Sequence, residues 1–496
     1  MENSKWSSRG TFILAAVGSA VGLGNAWRFP GLCAKYGGGA FLTIYIAAMI
    51  IIGIPMLAME IAAGRAMRGA APAAMRGLNR KFEPIGWAAV TNAFVVSVYY
   101  AVIFAWVILM ALSSFKFFGV TGDAKAASEI WSGLIKSTGT TKGYLTVSYP
   151  TLACLAIAWG LIYFCVRNGA ASVGKVVKYT VFLPMICLVI MAVKGVTMPG
   201  SAEGLRKLFI PDASFFADAD LWIAAVGQVF YSLSIMMAVM FAYGSYLDSG
   251  SNIAADAVII TLSDLAVSLL SGIVLFTTMY GTGLSVDNMS ASGIGTAFVI
   301  YPSVIATLTS SGAFNAVFAF VFYFCLCTLA IDSAFSVIEG VAAAIAERFN
   351  KPLKQMTRRV CAVSGALSLI FTTGAGLALV DITDYWCNSY NLIIVGILET
   401  AAIGWFYKTD KLLGEINMNT RKFRIPKWWF YAAIKAAAPV TLIGFLIWNV
   451  VSLFKGGGIY GEGYSPASNI IFGWLVTAMV FASGFILKRK NLNEIK

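Results

Sequence analysis

The chain has 496 residues, of which 59% are hydrophobic and only 12% carry a charged side chain. A soluble globular domain carries about 25% charged residues, so this composition excludes a soluble fold and predicts a protein whose solvent includes the lipid bilayer. The formal net charge of +13 would suit nucleic acid in a soluble protein, but here it is typical of basic cytoplasmic loops, and no nucleic-acid partner is expected.

Apolar stretches long enough to cross a membrane follow one another along the whole chain. A helix needs about 20 residues to cross the hydrocarbon core. The sequence therefore predicts an all-α transmembrane protein, a single domain over residues 1–496 with about twelve helices. The predicted spans are 9–33, 40–64, 84–114, 149–167, 176–196, 219–246, 256–283, 312–346, 358–379, 382–407, 431–454 and 468–487.

The distribution of basic residues predicts the orientation. Lys and Arg are concentrated in the loops after the second and eighth spans, whereas the loops at 284–311 and around 380 contain none. Because basic residues mark cytoplasmic loops, we expect a multi-pass plasma-membrane protein with both termini in the cytoplasm. The loop at 115–148 contains no cysteine and no glycosylation sequon, which favours a bacterial inner-membrane protein.

Two of the predicted spans contain polar and small residues at mid-membrane depth. The first span contains Gly18-Ser-Ala-Val-Gly-Leu-Gly-Asn25, and the sixth contains Ser232-Leu-Ser234 after Gln228. Paired interruptions in the first helices of two repeats indicate a binding site in inverted-repeat transporters. The alternative is close helix packing on small residues, which we favour for the sixth span taken alone. In the first span, Asn25 and Arg28 favour function, because intramembrane polar groups are costly.

Six ionisable side chains fall within or at the ends of the apolar spans. They are Arg28, Glu60, Asp264, Asp332, Glu339 and Asp384. A charge at the bilayer centre costs about 2.5–3.5 kcal/mol on insertion scales, so each requires compensation. Sodium ions would neutralise Asp264 and Asp332, and an internal salt bridge would neutralise Arg28 with Asp384. For Glu60 and Glu339 we expect hydrogen bonds from nearby backbone or polar groups.

Ordered motifs along the chain carry a resemblance to a known family. They include Gly22-Leu-Gly-Asn-Ala-Trp-Arg-Phe-Pro30, Gly37-Gly-Gly-Ala-Phe41, Gly53-Ile-Pro-Met-Leu-Ala-Met-Glu60, Gln228-Val-Phe-Tyr-Ser-Leu-Ser234, Asp332-Ser333 and Asp384-Tyr-Trp386. Over nearly its whole length the chain resembles the neurotransmitter:sodium symporters, in the bacterial amino-acid-transporter branch with the leucine-transporter fold. The resemblance implies inverted five-helix repeats over 9–196 and 219–407, broken helices 1 and 6, and two additional helices over 431–487.

The resemblance also implies two sodium sites. The first would consist of the Ala20 carbonyl with Asn25, Ser232 and Asp264, and the second of the Gly18, Val21 and Leu329 carbonyls with Asp332 and Ser333. The family often has Asn at the position of Asp264, and its chloride-dependent members carry Ser at the position of Ser268. We expect the Asp264 carboxylate to supply the charge that chloride supplies elsewhere, so that chloride is not required.

The same resemblance predicts an amino-acid substrate. Its carboxylate would accept hydrogen bonds from the backbone amides near Leu23 and Gly24 and from the Tyr100 hydroxyl, in the way that a helix N-terminus binds an anion. Monoamine carriers have Asp at the position of Gly22, which here leaves room for a substrate carboxylate. After Ser234, where the family usually shows glycine, this chain has Ile235-Met-Met237. We expect Met236 to narrow the pocket and favour a small or medium apolar side chain. The predicted contacts are Ser19, Ala20, Gly22, Leu23, Gly24, Val96, Tyr100, Tyr231, Ser232, Ser234, Met236, Met237, Ala334 and Val337.

Two gates are implied as well. On the outside, Tyr100 and Tyr231 would form an aromatic lid beneath a salt bridge between Arg28 and Asp384, with Gln228 nearby. On the inside the family pairs an N-terminal Arg with an acid, which Glu347 supplies here. Because Asn3 stands at the position of that Arg, we expect Lys5, beside Trp6, to replace it.

These features predict sodium-coupled uptake of an amino acid by alternating access. A proton-coupled transporter of the same fold is the alternative, with Asp264 or Glu60 titrating, and a channel is a more remote one. An enzyme is not expected, because the chain has no His and no HExxH, GxSxG or phosphate-loop motif.

Overall fold

The computed structural model describes residues 5–119, 123–283, 293–419 and 423–489. Within these residues the chain forms a series of long helices, two of which are broken into halves a and b. In chain order they are α1a (Arg9–Ala20), α1b (Gly24–Lys35), α2 (Gly39–Met67), α3 (Arg80–Leu112), α4 (Tyr149–Val166), α5 (Ala170–Val196), α6a (Ala219–Ser232), α6b (Val239–Ser245), α7 (Ile253–Gly281), α8 (Gly312–Phe349), α9 (Leu353–Ser368), α10 (Gly376–Trp405), α11 (Lys427–Lys455) and α12 (Pro466–Leu487).

Most of these helices are long and apolar enough to cross a membrane. Of the described helices, nine meet this condition, and a tenth span results if the bent pair α1a and α1b is taken as one. The halves of α6 have 14 and 7 residues and α9 has 16, fewer than the roughly 20 that a single straight span needs. The protein is therefore an all-α, multi-pass membrane protein.

Capping side chains set several helix starts. The side-chain oxygens of Ser8, Ser148, Asn252 and Ser311 accept hydrogen bonds from first-turn backbone N–H groups at the starts of α1a, α4, α7 and α8. Such oxygens satisfy donors that have no partner within the helix. These helix starts lie within a few residues of the predicted ones.

The predicted boundary between the spans 358–379 and 382–407 is displaced by several residues. α9 begins at Leu353 and its last turn ends at Thr372, while α10 already begins at Gly376. The backbone between them pairs with a distant loop: Gly374 N donates to Thr146 O at 2.7 Å, and Thr138 N donates to Gly374 O at 2.9 Å. The apolar composition continues through this turn, so hydropathy alone could not place it.

The two breaks give the fold its functional centre. α1a and α1b meet at an angle of 48°. In α6, Ser234, Met236 and Ala238 have φ angles of 52°, 67° and 62°. The left-handed conformation costs non-glycine residues on the order of 1–3 kcal/mol each and is commonest at functional sites. α8 packs against α1a, α3 and α6b, so the two breaks lie at the centre of the bundle.

Candidate functional site

A narrow cavity lies where the two broken helices meet α3 and α8. It contains every predicted substrate contact except Met236, together with Asn25, Ser97 and Ser333. Its lining residues are Ser19, Ala20, Gly22, Leu23, Gly24, Asn25, Val96, Ser97, Tyr100, Tyr231, Ser232, Ser234, Met237, Ser333, Ala334 and Val337. Ser97 was not predicted, although it lies between Val96 and Tyr100 on the same face of α3 and helical spacing could have identified it.

Met236 does not narrow this cavity, contrary to the expectation from its position after Ser234. Its backbone is left-handed, and its N–H donates to Glu60 Oε1 at 2.6 Å. Its side chain packs against Gly396, where an added Cβ would lie 2.3 Å from the Met236 sulfur. The local backbone thus turns Met236 away from the cavity, and Met237 is the methionine that lines it.

Polar groups without partners face the cavity. The Tyr100 hydroxyl and the Ser19 hydroxyl are buried and have no hydrogen-bond partner among the described residues. The Ser234 hydroxyl donates to the Ser19 carbonyl at 2.9 Å, which joins the two breaks. Buried polar groups usually have partners, so an unpartnered hydroxyl at a cavity wall is typical of a site for a polar ligand.

Two glycines keep the backbone of the first break close to its neighbours. A Cβ on Gly22 would lie 2.3 Å from Ser333 Oγ, and a Cβ on Gly24 would lie 2.6 Å from the Tyr231 ring. Real Cβ atoms do not approach other atoms so closely. Gly22 and Gly24 therefore allow α8 and α6a to contact the backbone at the start of α1b.

Asp264 lies at the centre of a buried polar cluster. Its carboxylate accepts hydrogen bonds from Asn25 Nδ2 at 2.7 Å, from Ser232 Oγ at 2.7 and 2.8 Å, and from the Tyr45 hydroxyl at 3.2 Å. Ser268 Oγ accepts from Asn25 Nδ2 at 2.9 Å. All five side chains are buried. Four of the five were predicted, three as sodium ligands and Ser268 as a neighbour, whereas Tyr45, which α2 supplies from a distant part of the chain, was not.

Asp332 is the second buried carboxylate beside the first break. Its Oδ1 has no hydrogen-bond partner among the described residues, and its Oδ2 lies 2.9 Å from the position of a Cβ on Gly18. Ser333 Oγ donates to the Ser19 carbonyl at 3.4 Å. Leu329 is one turn earlier on α8, and Val21 follows the last residue of α1a, where backbone carbonyls lose their helical partners. Asp332 and Ser333 thus place a carboxylate and a hydroxyl beside the backbone of the first break, at Gly18 and Ser19.

The outer-gate residues lie together, but the expected direct salt bridge between Arg28 and Asp384 is not formed. The guanidinium of Arg28 instead lies over the Tyr231 ring, 4.6 Å from its centre. Asp384 accepts hydrogen bonds from the Tyr99 hydroxyl at 2.9 Å and from Asn388 Nδ2 at 2.8 Å. Each charge therefore has other partners in this conformation.

Gln228 joins the outer gate to the first break. Its Nε2 donates to the Gly24 carbonyl at 3.1 Å, and its Oε1 is buried without a partner among the described residues.

The inner-gate contacts also differ from the expectation. Lys5 pairs with Asp248 at 3.5 Å and not with Glu347. Trp6 is buried, and its indole N–H donates to the Tyr243 carbonyl at 3.0 Å. Asn3 lies outside the described residues.

Glu347 instead accepts hydrogen bonds from a helix start and from the C-terminal end of the described chain. Its carboxylate accepts from Ala70 N at 3.0 Å, and its carbonyl accepts from Arg489 Nη2 at 2.8 Å. Arg489 was not predicted, because it is distant in sequence and lies beyond the last span.

The expectation for Glu60 and Glu339 is confirmed. Glu60 accepts from the backbone of the α6 break at Met236, and Glu339 accepts from the Tyr246 hydroxyl at 2.9 Å. Glu399 on α10 was not predicted. It is fully buried, and its two carboxylate oxygens have no partner among the described residues.

Comparisons with known proteins identify similar chains. The profile of the sodium:neurotransmitter symporter family matches residues 3–119 and 120–490. An uncharacterized sodium-dependent transporter of Methanocaldococcus jannaschii is 32% identical over 498 residues, covering 99% of this chain and 98% of that protein. The sodium- and chloride-dependent GABA transporter 2 of Rattus norvegicus is 28% identical over 456 residues, covering 84% of this chain and 75% of that protein.

A solved structure has the same fold. The crystal structure of MhsT in complex with L-phenylalanine superposes with a TM-score of 0.77 at 26% identity, covering 90% of this chain and 99% of MhsT.

Proposed function

The chain belongs to the sodium:neurotransmitter symporter family, and from this premise we propose that it takes up an amino acid together with sodium by alternating access. One observation carries the proposal. Two half-helices end at a shared cavity lined by the Tyr100 hydroxyl, which has no partner among the described residues. Two buried carboxylates lie behind its lining: Asp264 is hydrogen-bonded to Asn25 and Ser232, and Asp332 precedes Ser333. The complex of MhsT with L-phenylalanine supports the choice of an amino acid.

In this proposal the substrate carboxylate binds at the start of α1b. The Tyr100 hydroxyl would donate to it, and the half-helix beginning at Gly24 would favour negative charge. Gly22 has no side chain to compete for this place. The substrate amine would meet carbonyl groups near Ala20 and Tyr231. Because Met237 and Val337 line the cavity, we propose a small or medium apolar side chain.

Two sodium ions would be carried with the substrate. The first would bind the Ala20 carbonyl, Asn25, Ser232 and Asp264. The second would bind the Gly18, Val21 and Leu329 carbonyls with Asp332 and Ser333. Sodium is a hard cation that suits such oxygen ligands, and the unpartnered Oδ1 of Asp332 supports the second site.

Transport coupled to these ions is energetically sufficient. A membrane potential of 100 mV contributes about 2.3 kcal/mol per charge, and a tenfold sodium gradient contributes about 1.4 kcal/mol per ion. Two ions then supply roughly 7 kcal/mol, enough to concentrate a zwitterion about 10⁵-fold at the limit. Closing the carrier without sodium would leave Asp264 and Asp332 buried and uncompensated, which prevents uncoupled cycling.

We further propose that chloride is not required, although relatives such as GABA transporter 2 are named as chloride-dependent. Asp264 places a fixed negative charge among Asn25, Ser232, Tyr45 and Ser268, where it can balance a sodium ion. The protein would lie in a bacterial inner membrane with both termini in the cytoplasm.

A binding screen tests the proposal. The purified protein is incubated with each of the twenty amino acids in sodium chloride and in choline chloride, and binding is followed by the thermal unfolding midpoint. We expect one group of apolar amino acids to raise the midpoint only with sodium. Binding that does not depend on sodium but depends on pH would contradict the proposal and favour a proton-coupled carrier.

A further inference from the structure

A second cavity, far larger than the central one, opens on the side of the helix bundle. It has a volume of about 500 Å³, within the range of roughly 300–1,000 Å³ that is usual for ligand pockets. It lies between α3, α8, α9 and α12 and shares no residue with the central cavity. Its lining residues are Trp87, Val90, Thr91, Phe94, Val341, Ile345, Phe349, Lys351, Met356, Arg359, Val360, Val363 and Leu487. We call it the lateral crevice.

The walls of the lateral crevice are apolar and open sideways. Phe349 and Val363 are each 53% exposed, while Trp87 at the inner wall is only 1% exposed. Exposed apolar side chains of a multi-pass membrane protein face lipid, so hydrocarbon can enter from the side. The polar hydroxyl in the lining belongs to Thr91, and it is bonded to Ser483 on α12 at 2.7 Å. The walls can therefore make van der Waals contacts with an apolar ligand, but they present few hydrogen-bonding groups to a soluble polar ligand.

Two basic side chains complete the lining at one end. Lys351 lies in the short connection after α8, and Arg359 lies on the second turn of α9. Within residues 5–119, 123–283, 293–419 and 423–489, neither has a carboxylate oxygen within 4.0 Å. Glu347 and Glu83 line an adjacent small cavity that shares Trp87 with the crevice, and they are bonded to Ala70, Arg76 and Arg489.

We propose that the lateral crevice binds one anionic phospholipid, with an acyl chain against its apolar walls and the headgroup phosphate between Lys351 and Arg359. A lipid-facing apolar crevice whose two cations at one end have no carboxylate partner in the described part of the chain fits an amphiphile of negative charge. Basic pockets between membrane helices recognise lipid headgroups in this way. A free phosphate would gain nothing from the apolar walls, and a zwitterionic lipid would bring a cation against Lys351 and Arg359. The proposal does not depend on which solute the central cavity carries.

Native mass spectrometry of the purified full chain tests the proposal. The protein in detergent is titrated with phosphatidylglycerol or phosphatidylcholine of the same acyl chains. We expect one phosphatidylglycerol to bind per chain more tightly than phosphatidylcholine. In the variant Lys351→Gln/Arg359→Gln the phosphatidylglycerol affinity should fall by roughly 30-fold. Each basic residue near a membrane surface contributes about a fivefold gain in affinity for an anionic lipid, and the two factors multiply. Phosphatidylcholine binding should stay unchanged.

Matched variants separate this site from general surface charge. Lys354→Gln/Arg358→Gln removes two exposed basic residues of the same segment that do not line the crevice, and it should retain wild-type binding. Val363→Trp should weaken both lipids by filling the open side. The single variants Lys351→Gln and Arg359→Gln serve if the double variant does not fold, and each should lose about fivefold.

Three results would overturn the proposal. Equal loss in the Lys354/Arg358 variant would mean attraction to surface charge without a site. Competition by soluble glycerol phosphate at the concentration where phosphatidylglycerol binds would indicate a free-anion site. A lipid-free dimer that is lost in Val363→Trp would indicate that a second copy of the chain fills the crevice.

Discussion

Replacing Asp332 by Ala should abolish sodium-dependent uptake while the protein remains folded in the membrane. The carboxylate is buried, and its Oδ1 has no partner among the described residues, so its removal breaks no bond of that oxygen. A sodium ion about 4 Å away would lose roughly 4 kcal/mol at an effective dielectric constant of 20. That loss corresponds to about a thousandfold weaker sodium binding.

The assay is a sodium titration of amino-acid binding to purified Asp332→Ala, together with uptake into proteoliposomes. Glu339→Gln is the matched control, because Glu339 is a buried acid two turns later on the same helix and its bond from Tyr246 can be kept by an amide oxygen. The control should retain the wild-type sodium dependence. If Asp332→Ala also retained it, the second sodium site would be refuted.

Three further predictions follow from the central cavity. Asp264→Asn removes the fixed negative charge, so amino-acid uptake by this variant should fall at least tenfold when gluconate replaces chloride, while wild-type uptake changes less than twofold. If uptake by the variant did not depend on chloride, the proposal that Asp264 replaces chloride would be contradicted. Gly22→Ala brings a Cβ to 2.3 Å from Ser333 Oγ and should weaken substrate binding at least tenfold in an equilibrium binding assay, and normal affinity would show that the break is not close-packed. Met237 lines the cavity, so Met237→Ala should shift uptake toward larger amino acids in competition assays. Met236 packs against Gly396 instead, so Met236→Ala should leave selectivity unchanged and lower the thermal unfolding midpoint. The opposite pattern would show that Met236 lines the site.

Much of the architecture could be predicted because the bilayer imposes simple rules. Apolar length located nearly all spans, and the small polar residues around Gly22 located the first break. The resemblance to the symporter family is confirmed by the family profile and by the fold of MhsT. Hydropathy failed at Gly374, where long-range backbone hydrogen bonds and not composition end the helix.

Side-chain directions within the site could not be predicted in the same way. Met236 turns outward because its backbone is left-handed, and a sequence does not state a φ angle. Arg28 lies on the Tyr231 ring and not on Asp384, because several partners compete for one guanidinium. Tyr45 and Glu399 reach the centre from distant helices, so no local pattern marks them.

The most direct test of the account measures sodium and amino acid together in the same proteoliposomes. With an inward gradient of radioactive sodium, we expect sodium and the amino acid to enter in a fixed ratio and the amino acid to accumulate above its external concentration. When choline replaces sodium, accumulation should disappear. Equal accumulation in choline would contradict the claim that sodium neutralises the buried carboxylates during transport.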